Sequence, residues 1–219
     1  ENEKTVFFNI EKVVTAIKNS KKPYIYAGGG VIASGAEAQL RELSEKLSAP
    51  VGLSMMGITA LPNDYKLNLG MSGMHGKYAA SVAQSECDLM LALGVRFSDR
   101  ATGDVKAFGK DRIIIHVDID IAEIGKNVST HIDICGDIKE FLTELLKKLT
   151  PMQNQEWISR INELKKIEKE AENNLFTPKN IIETVNRYCN DDTVIATDVG
   201  QHQMWTMQYY KFMKPRTLL

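Results

Sequence analysis

Three consecutive glycines after a short apolar stretch are the residues in this sequence best suited to approach a phosphate. Residues 24–27 predict a buried strand, and Gly28, Gly29 and Gly30 follow it directly. Without Cβ atoms, these glycines let backbone N–H groups come close to an anion, which a helix N-terminus also favours. Ser34 and Glu37 have the spacing of a capping box. Segment 28–33 also matches the dinucleotide pattern G-x-G-x-x-A, although a tight strand-to-helix connection alone produces the same match.

A nicotinamide-binding unit needs a carboxylate about 20 residues after the glycines, to hold the adenosine ribose. The second predicted strand, 50–54, ends without one, and the candidate carboxylate comes much later, at Asp118. Arg96 is able to neutralise a diphosphate, and Met55 or Met74 to pack on a flat ring. Each has an ordinary alternative: a capped turn for the aspartate, a surface ion pair for the arginine and core packing for the methionines.

The remaining reactive side chains form no complete catalytic constellation. His75 lies between glycines, where a fixed general base needs further support, and His116 is predicted mid-strand, where core packing is the simpler role. The sequence has no metal-ligand spacing and no G-x-S-x-G motif. Three scattered cysteines predict reduced, buried thiols: Cys87, Cys135 and Cys189.

Short apolar strands alternate with amphipathic helices along the first 150 residues. Strands are predicted at 24–27, 50–54, 88–93, 112–119 and 131–135, with helices at about 10–19 and 35–48, from about 77, and after Asp137. The segment 55–77 has neither period and is predicted to be a long loop. This order predicts an α/β fold of Rossmann-like type, an open parallel sheet with helices on both faces. Its ligand is expected outside the carboxyl ends of the strands.

The character of the sequence changes after residue 150. Residues 155–174 predict a solvated connecting helix, Thr177 and Pro178 predict the start of another helix, and 193–197 predict a strand. One strand and about two helices do not make a sheet domain. We therefore expect a nucleotide-binding domain at 1–150, a connecting helix at 151–176, and at 177–219 the start of a second α/β domain in a fragment of a longer protein.

The composition is that of an ordinary globular protein. The 219 residues carry a formal net charge of −1 and no long basic run, so nothing favours nucleic acid or a membrane surface as a partner. No apolar run approaches the ~20 residues of a membrane span, and the charged opening residues do not form a signal peptide. A cytoplasmic protein is expected.

With these loops assembled, the sequence resembles the acetolactate synthase (acetohydroxyacid synthase) catalytic large subunit, a family of thiamine-diphosphate enzymes. The resemblance covers essentially the whole chain, in order. The motifs that carry it are 28–30, Pro62 with 70–76, 94–103, 116–127 and 199–205. It implies the central domain of a three-domain enzyme and the opening of its carboxyl-terminal domain.

The resemblance implies that the central domain holds FAD in a structural part, without net redox chemistry. The implied FAD contacts are Gly29, Ser54, Met55, Gly73, Met74, His75, Gly94, Arg96, Asp118, Ile119 and Asp137. The residues implied to face the diphosphate of thiamine diphosphate are Val199, Gly200, Gln201 and His202. Asp99 and Arg100 are implied to line the substrate channel. Many members have two acids after the Arg-Phe pair, whereas Ser98 stands here before Asp99, which leaves an FAD contact at that position open.

The implied reaction decarboxylates pyruvate and transfers the two-carbon unit to a second 2-keto acid, pyruvate or 2-ketobutyrate, in branched-chain amino-acid biosynthesis. The activating glutamate and the motif that carries Mg²⁺ are implied to lie outside these residues, so the fragment alone is expected to be inactive. The resemblance also implies a homodimer or tetramer in the full enzyme and a possible regulatory small subunit.

Other functions remain open on the sequence alone. One is another thiamine-diphosphate enzyme, either a pyruvate oxidase with redox-active FAD or a 2-keto-acid decarboxylase that binds ADP or no nucleotide. Another is a stand-alone NAD-binding module of sirtuin type, for which the paired zinc cysteines are missing. A purely structural domain would leave the glycine loops unexplained.

Overall fold

The protein, described here from a computed structural model at residues 9–170 and 177–219, is built on one parallel sheet. The strands are β1 (Pro23–Ala27), β2 (Val51–Leu53), β3 (Asn68–Met71), β4 (Leu89–Leu93), β5 (Ile113–Asp118) and β6 (Ile132–Cys135). Their spatial order is β3-β2-β1-β4-β5-β6, and every neighbouring pair is parallel. Because parallel strands need crossover connections, helices run between most of them. The predicted open α/β sheet is confirmed.

The helices surround this sheet and continue beyond it. They are α1 (Ile10–Asn19), α2 (Gly29–Ser34), α3 (Glu37–Leu47), α4 (Tyr78–Glu86), α5 (Asp99–Thr102), α6 (Val105–Phe108), α7 (Ile138–Lys148), α8 (Gln155–Glu170), α9 (Pro178–Arg187) and α10 (Gln201–Tyr209). The helix predicted after Asp137 is α7, and Asp137 caps it, because its carboxylate accepts a hydrogen bond from the backbone N–H of Glu140. Within the described ranges, no helix has the length and apolar character of a membrane span.

Both faces of the sheet are buried, and successive strand residues alternate between them. Ile25 and Ala27 of β1 belong to the apolar cluster formed with α1, α3 and α7. Tyr24 and Tyr26 belong to the opposite cluster, which includes α4 and α8. The strands therefore read as continuous apolar runs, as expected for a parallel sheet covered on both sides.

Helix α8 closes one of these faces. Trp157, Ile161 and Leu164 are buried, and the indole Nε1 of Trp157 donates to the carbonyl of Pro23 at 3.0 Å. The prediction of a solvated connecting helix is therefore wrong for this part of α8, because a narrow apolar stripe is enough to cover the small alanines of α4. Ile167 is exposed, and residues 171–174 of the predicted helix lie outside the described residues.

The predicted long loop at 55–77 is wrong, because it contains the edge strand β3. The side chain of Asn68 organises this strand: its Nδ2 donates to the carbonyls of Leu61 and Pro62, and its Oδ1 accepts from the N–H of Gly70. Gly70 has a φ of +76°, which interrupts the regular alternation of buried and exposed side chains by which a strand is recognised in a sequence. A four-residue strand held by local side-chain bonds gives a weak periodic signal.

Two smaller predictions also differ from the structure, and a third is confirmed. The capping box is wrong: the Ser34 hydroxyl donates to the carbonyl of Val31 at the end of α2, and α3 begins after Gly35. The predicted strand at 193–197 is reduced to one isolated bridge, between Ile195 and Leu218. The helix start predicted at Thr177 and Pro178 is confirmed, because Thr177 is the N-cap and Pro178 the first residue of α9, although the Thr177 hydroxyl donates to the side chain of Asn180 rather than accepting from a backbone N–H.

The prediction of three buried thiols holds for only one cysteine. Cys87 is buried, and this burial raises its pKa to about 12, so its thiol stays protonated. Cys135 is exposed and Cys189 is half-buried. Cys135 is the last residue of the edge strand β6, and Cys189 follows α9, which has no buried residue. Composition does not predict burial at such positions.

A glycine in β2 makes room for a buried hydroxyl pair. The Oη of Tyr24 lies 2.6 Å from the Oγ of Ser72 and donates to the carbonyl of Ala80. A Cβ on Gly52 would lie 1.6 Å from that Oη and 2.3 Å from the Ser72 Oγ. Because both hydroxyls are buried and hydrogen-bonded, neither can move away to make room for the added Cβ.

Gly52→Ala is therefore expected to lower the free energy of unfolding by about 1–3 kcal/mol, the usual cost of overpacking a core. Gly109→Ala is the matched control, because a Cβ there would meet nothing closer than 3.9 Å. Urea unfolding of both variants measures the difference. Equal stability of the two variants would contradict the packing argument.

Candidate functional site

The carboxyl ends of β1 and β4 meet where the strand order reverses, which is the usual ligand position in an open α/β sheet. The glycines that follow these strands touch each other. The N–H of Gly28 donates to the carbonyl of Leu93 at 2.9 Å, and the N–H of Gly30 to that of Gly94 at 3.3 Å. A Cβ on Gly28 would lie 2.0 Å from the Gly94 oxygen. Two of the three glycine amides are thus engaged in packing two turns together, and only that of Gly29 lacks an acceptor within the described residues.

The polar groups predicted for a nucleotide lie along the same edge, after β4, β5 and β6. Arg96 is exposed, and within the described chain its guanidinium has no carboxylate partner, so the surface ion pair suggested as its alternative is absent. Asp118 accepts from the N–H of Asp120 at 3.0 Å through one oxygen, which is the turn-capping alternative. Ile119 beside it is 74% exposed. Asp137 uses one oxygen to cap α7.

A cavity of about 550 Å³ lies between this edge and helix α10. Its lining combines apolar side chains with hydroxyls, amides and a single arginine. The lining residues are Tyr26, Ser54, Met55, Met71, Ser72, His75, Ser98, Arg100, Ala101, Val199, Gly200, Gln201, Gln203, Met204, Trp205 and Gln208. Among them Arg100 alone carries a formal charge at neutral pH. The cavity therefore suits an anionic ligand with an apolar part.

Arg100 is tied by its backbone to the glycine-rich loop at 73–76. The N–H of Met74 donates to the carbonyl of Arg100 at 2.8 Å. Gly73 has a φ of +103°, and a Cβ there would lie 2.7 Å from the same carbonyl oxygen, so only glycine allows the two loops to approach. The guanidinium of Arg100 is mostly exposed and stands 3.9 Å from the Asp99 carboxylate, a weak contact that leaves it available.

The opposite wall of the cavity is α10, and the chain after it holds it in place. Gln208 donates from Nε2 to the carbonyl of His75 at 2.7 Å. Further along, the Phe212 carbonyl accepts from the N–H of Asn63, and Arg216 donates from Nη2 to the carbonyl of Ile32. Tyr210 and Phe212 are buried in the main core. These contacts make the tail part of the same packed body as the sheet.

The structure brings together part of the predicted site. Those that line the cavity are Ser54, Met55, His75, Arg100, Val199, Gly200 and Gln201. Those that lie outside its lining are Gly29, Gly73, Met74, Gly94, Arg96, Asp99, Asp118, Ile119, Asp137 and His202. Most of this second group follows strand ends of the sheet, whereas His202 lies on α10 with its ring close to Gly200.

Several lining residues were missed as site residues. They are Tyr26, Met71, Ser72, Ser98, Ala101, Gln203, Met204, Trp205 and Gln208. Tyr26 was predicted to be an ordinary strand residue and Met71 a loop residue. Gln203, Met204 and Trp205 belong to the 199–205 motif, but the motif alone did not show that they line a cavity, because the opposite wall is more than 100 residues away in the chain. Burial raises the pKa of Tyr26 to about 12, so its phenol is a neutral donor at pH 7.

Comparison with known proteins identifies the class to which this fold and cavity belong. Residues 10–145 match the model of the thiamine pyrophosphate enzyme central domain, and the chain belongs to this family. The resemblance drawn from the motifs is thereby confirmed.

Individual relatives of this chain give a more specific comparison than the family model. The probable acetolactate synthase large subunit of Methanocaldococcus jannaschii is 42% identical over 96% of this chain and 38% of its own length. The acetolactate synthase large subunit of Lactococcus lactis is 38% identical over 100% of this chain and 39% of its own length. The chloroplastic acetolactate synthase 1 of Zea mays is 40% identical over 96% of this chain and 34% of its own length. The chain thus spans little more than a third of the length of these relatives.

His116 gives the fold a pH dependence of its own. It is fully buried, and burial lowers its pKa from the ordinary 6.5, against the opposing effects of the Val95 carbonyl and the carboxylates of Asp118, Asp133 and Glu123. The folded state therefore holds a neutral imidazole below pH 6.5, where the unfolded chain binds a proton.

As the pH falls below about 6.5, the wild-type protein should lose stability relative to His116→Gln, by up to about 1.4 kcal/mol per pH unit. Well above pH 6.5 the difference in stability between the two proteins should be constant, because histidine is then neutral in both the folded and the unfolded state. Urea unfolding of both proteins at several pH values measures this difference, since the other titrating groups are common to them. Parallel stability curves would contradict it.

Proposed function

We propose that these residues form the FAD-binding central domain of an acetolactate synthase large subunit, joined to the first part of the domain that binds thiamine diphosphate. The observation that carries this proposal is the cavity, whose lining combines one arginine with apolar side chains, hydroxyls and amides. Arg100 and His75 belong to one side of it, and Gly200 and Gln201 at the start of α10 belong to the other. Proposed domain limits are 1–150, 151–176 and 177–219.

The residues of the sheet edge fit a flavin dinucleotide. The Gly29 amide has no acceptor in the described chain, and the exposed Arg96 has no carboxylate partner, so both are available to a diphosphate. Asp118 keeps one carboxylate oxygen for a ribose hydroxyl. The exposed side chains of Met74 and Ile119 offer apolar contact to a flat ring. In this proposal FAD has a structural role.

The start of α10 fits the diphosphate of the second cofactor. Gly200 is the N-cap of this helix, and helix N-termini favour anions. Val199, which is 85% exposed, and His202 flank this position. When bound with Mg²⁺, thiamine diphosphate supplies the carbanion chemistry that the decarboxylation of pyruvate requires. No Mg²⁺ ligand is assigned to the residues of this chain.

The chain's own contribution is position and charge. Arg100 binds the carboxylate of the 2-keto acid that accepts the two-carbon unit, pyruvate or 2-ketobutyrate. Met55, Met204 and Trp205 exclude water from the cavity around it. We further propose that the full enzyme is a homodimer or tetramer and that a regulatory small subunit is a possible partner.

Titration calorimetry of the full-length chain with FAD, ADP and NAD tests the flavin site. FAD is expected to bind, and NAD is not, because no acid follows β2. Arg96→Ala and Asp118→Ala should each weaken FAD binding by about tenfold or more, because each removes a hydrogen bond to or from a charged group. Arg41→Ala is the control, since Arg41 lies on α3, where it contacts exposed Glu45 and the Tyr65 ring and no residue of the proposed flavin site. Preferential binding of NAD would overturn the proposal.

Arg100→Gln tests the substrate role separately. Acetolactate formation by the full enzyme, saturated with both cofactors, should fall about 10- to 100-fold, mainly through a higher KM for the acceptor, because a charged hydrogen bond contributes about 1.5–3 kcal/mol. FAD binding should stay within about twofold of wild type. Arg41→Gln controls for the loss of a surface charge. An unchanged KM would exclude Arg100 as the carboxylate partner.

A further inference from the structure

We propose that His116 is a positioning residue that fixes the turn at residues 95–97, and thereby places Arg96 at the cofactor edge and Arg100 in the cavity wall. The consequence for cofactor binding rests on the proposed flavin site. The effect on the turn itself does not.

A single hydrogen bond ties the imidazole to this turn. His116 lies on β5 opposite Ala92 of β4, and its Nε2 is 2.9 Å from the carbonyl oxygen of Val95. Since a carbonyl only accepts, Nε2 carries the proton. Nδ1 is then an acceptor, buried and without a partner in the described part of the chain. An unpaired buried nitrogen costs free energy that an apolar side chain would avoid, so core filling does not explain a histidine here.

The turn that His116 holds is unfavourable on its own. Gly94 has a φ of +59°, and Phe97, which is not a glycine, has a φ of +47°. A bulky residue in this region is strained unless its surroundings hold it there. The imidazole meets the Phe97 ring edge-on, at 5.0 Å between centroids, and Phe108 packs on the same ring at 5.8 Å. His116 therefore holds both the backbone and the side chain of this turn.

A second side chain secures the next carbonyl. Asn127 donates from Nδ2 to the carbonyl of Arg96 at 2.8 Å. Two consecutive carbonyls of the turn thus accept from side chains outside it. Arg96 lies between them, and Arg100 follows four residues later, on α5. If the Val95 bond were lost, Phe97 would relax toward negative φ and both arginines would move.

Two variants separate the hydrogen bond from the ring. His116→Gln keeps a donor that reaches about as far as the imidazole Nε2, whereas His116→Phe keeps the ring and leaves the Val95 carbonyl unpaired. Because Arg96 and Arg100 are exposed, limited trypsin digestion of the full-length chain reports on the turn directly. Leu146→Ala, in the opposite core cluster, controls for a general loss of stability.

We expect cleavage after Arg96 and Arg100 to rise about tenfold in His116→Phe and to stay within about threefold of wild type in His116→Gln. Asn127→Ala, an exposed substitution, should raise cleavage after Arg96 by a smaller factor. The Kd for FAD should follow the same order. Equal cleavage in wild type and His116→Phe, equal rates in the two His116 variants, or the same local increase in Leu146→Ala would each overturn the positioning role.

The wild-type protein provides a readout that needs no variant. In ¹⁵N-histidine-labelled protein, the His116 signals should show the Nε2–H tautomer, with that proton slow to exchange. A Nδ1–H tautomer would overturn the proposal even if His116→Phe did not fold. If the wild-type chain bound no FAD while the digestion pattern held, the proposed flavin site would fail and the role of His116 in the turn would stand.

Discussion

The contact between the turns after β1 and β4 is the constraint on which the rest of this structure depends. Gly28 and Gly94 approach so closely that a single added carbon would meet a carbonyl oxygen at 2.0 Å. This approach lets the two central strands end at the same level, with their following segments diverging to opposite sides. The main role of the three glycines is therefore to let the two turns pack together, and of their amides only that of Gly29 is available to a ligand.

The fold was largely predictable, because strands that are buried on both faces of a sheet consist of consecutive apolar residues. Continuous apolar runs at β1, β4 and β5 fixed the class, since few other arrangements bury such segments. β3 was missed because Asn68 and Gly70 shape it through local hydrogen bonds and a positive φ rather than through periodicity. The capping box failed because Ser34 is the last residue of α2, which ends at the left-handed Gly35, and the helix that follows has Ala36 at its N-cap position.

The candidate site was predictable only where it follows strand ends. Arg96 and Asp118 were found from their position after apolar runs, which local sequence shows. On α10, Gln208 bonds to the carbonyl of His75 across more than 120 residues of chain, and Met204 lines the same cavity. Met204 belongs to the 199–205 motif, which does not show its position in space, and Gln208 lies outside that motif. The helix that carries Trp157 was likewise predicted to be solvated, because the acceptor of the Trp157 indole, the Pro23 carbonyl, is 134 residues away in the chain.

The placement of the two tryptophans has a spectroscopic consequence. Trp157 is sealed between α8 and the sheet, while Trp205 stands half-buried in the cavity wall. Their emission should differ in wavelength and in accessibility to a soluble quencher, because one indole is dry and the other adjoins an open space. The chain thus carries two intrinsic probes, one for the integrity of its core and one for events in its cavity. A change at the second alone would mark a local event that leaves the folded body intact.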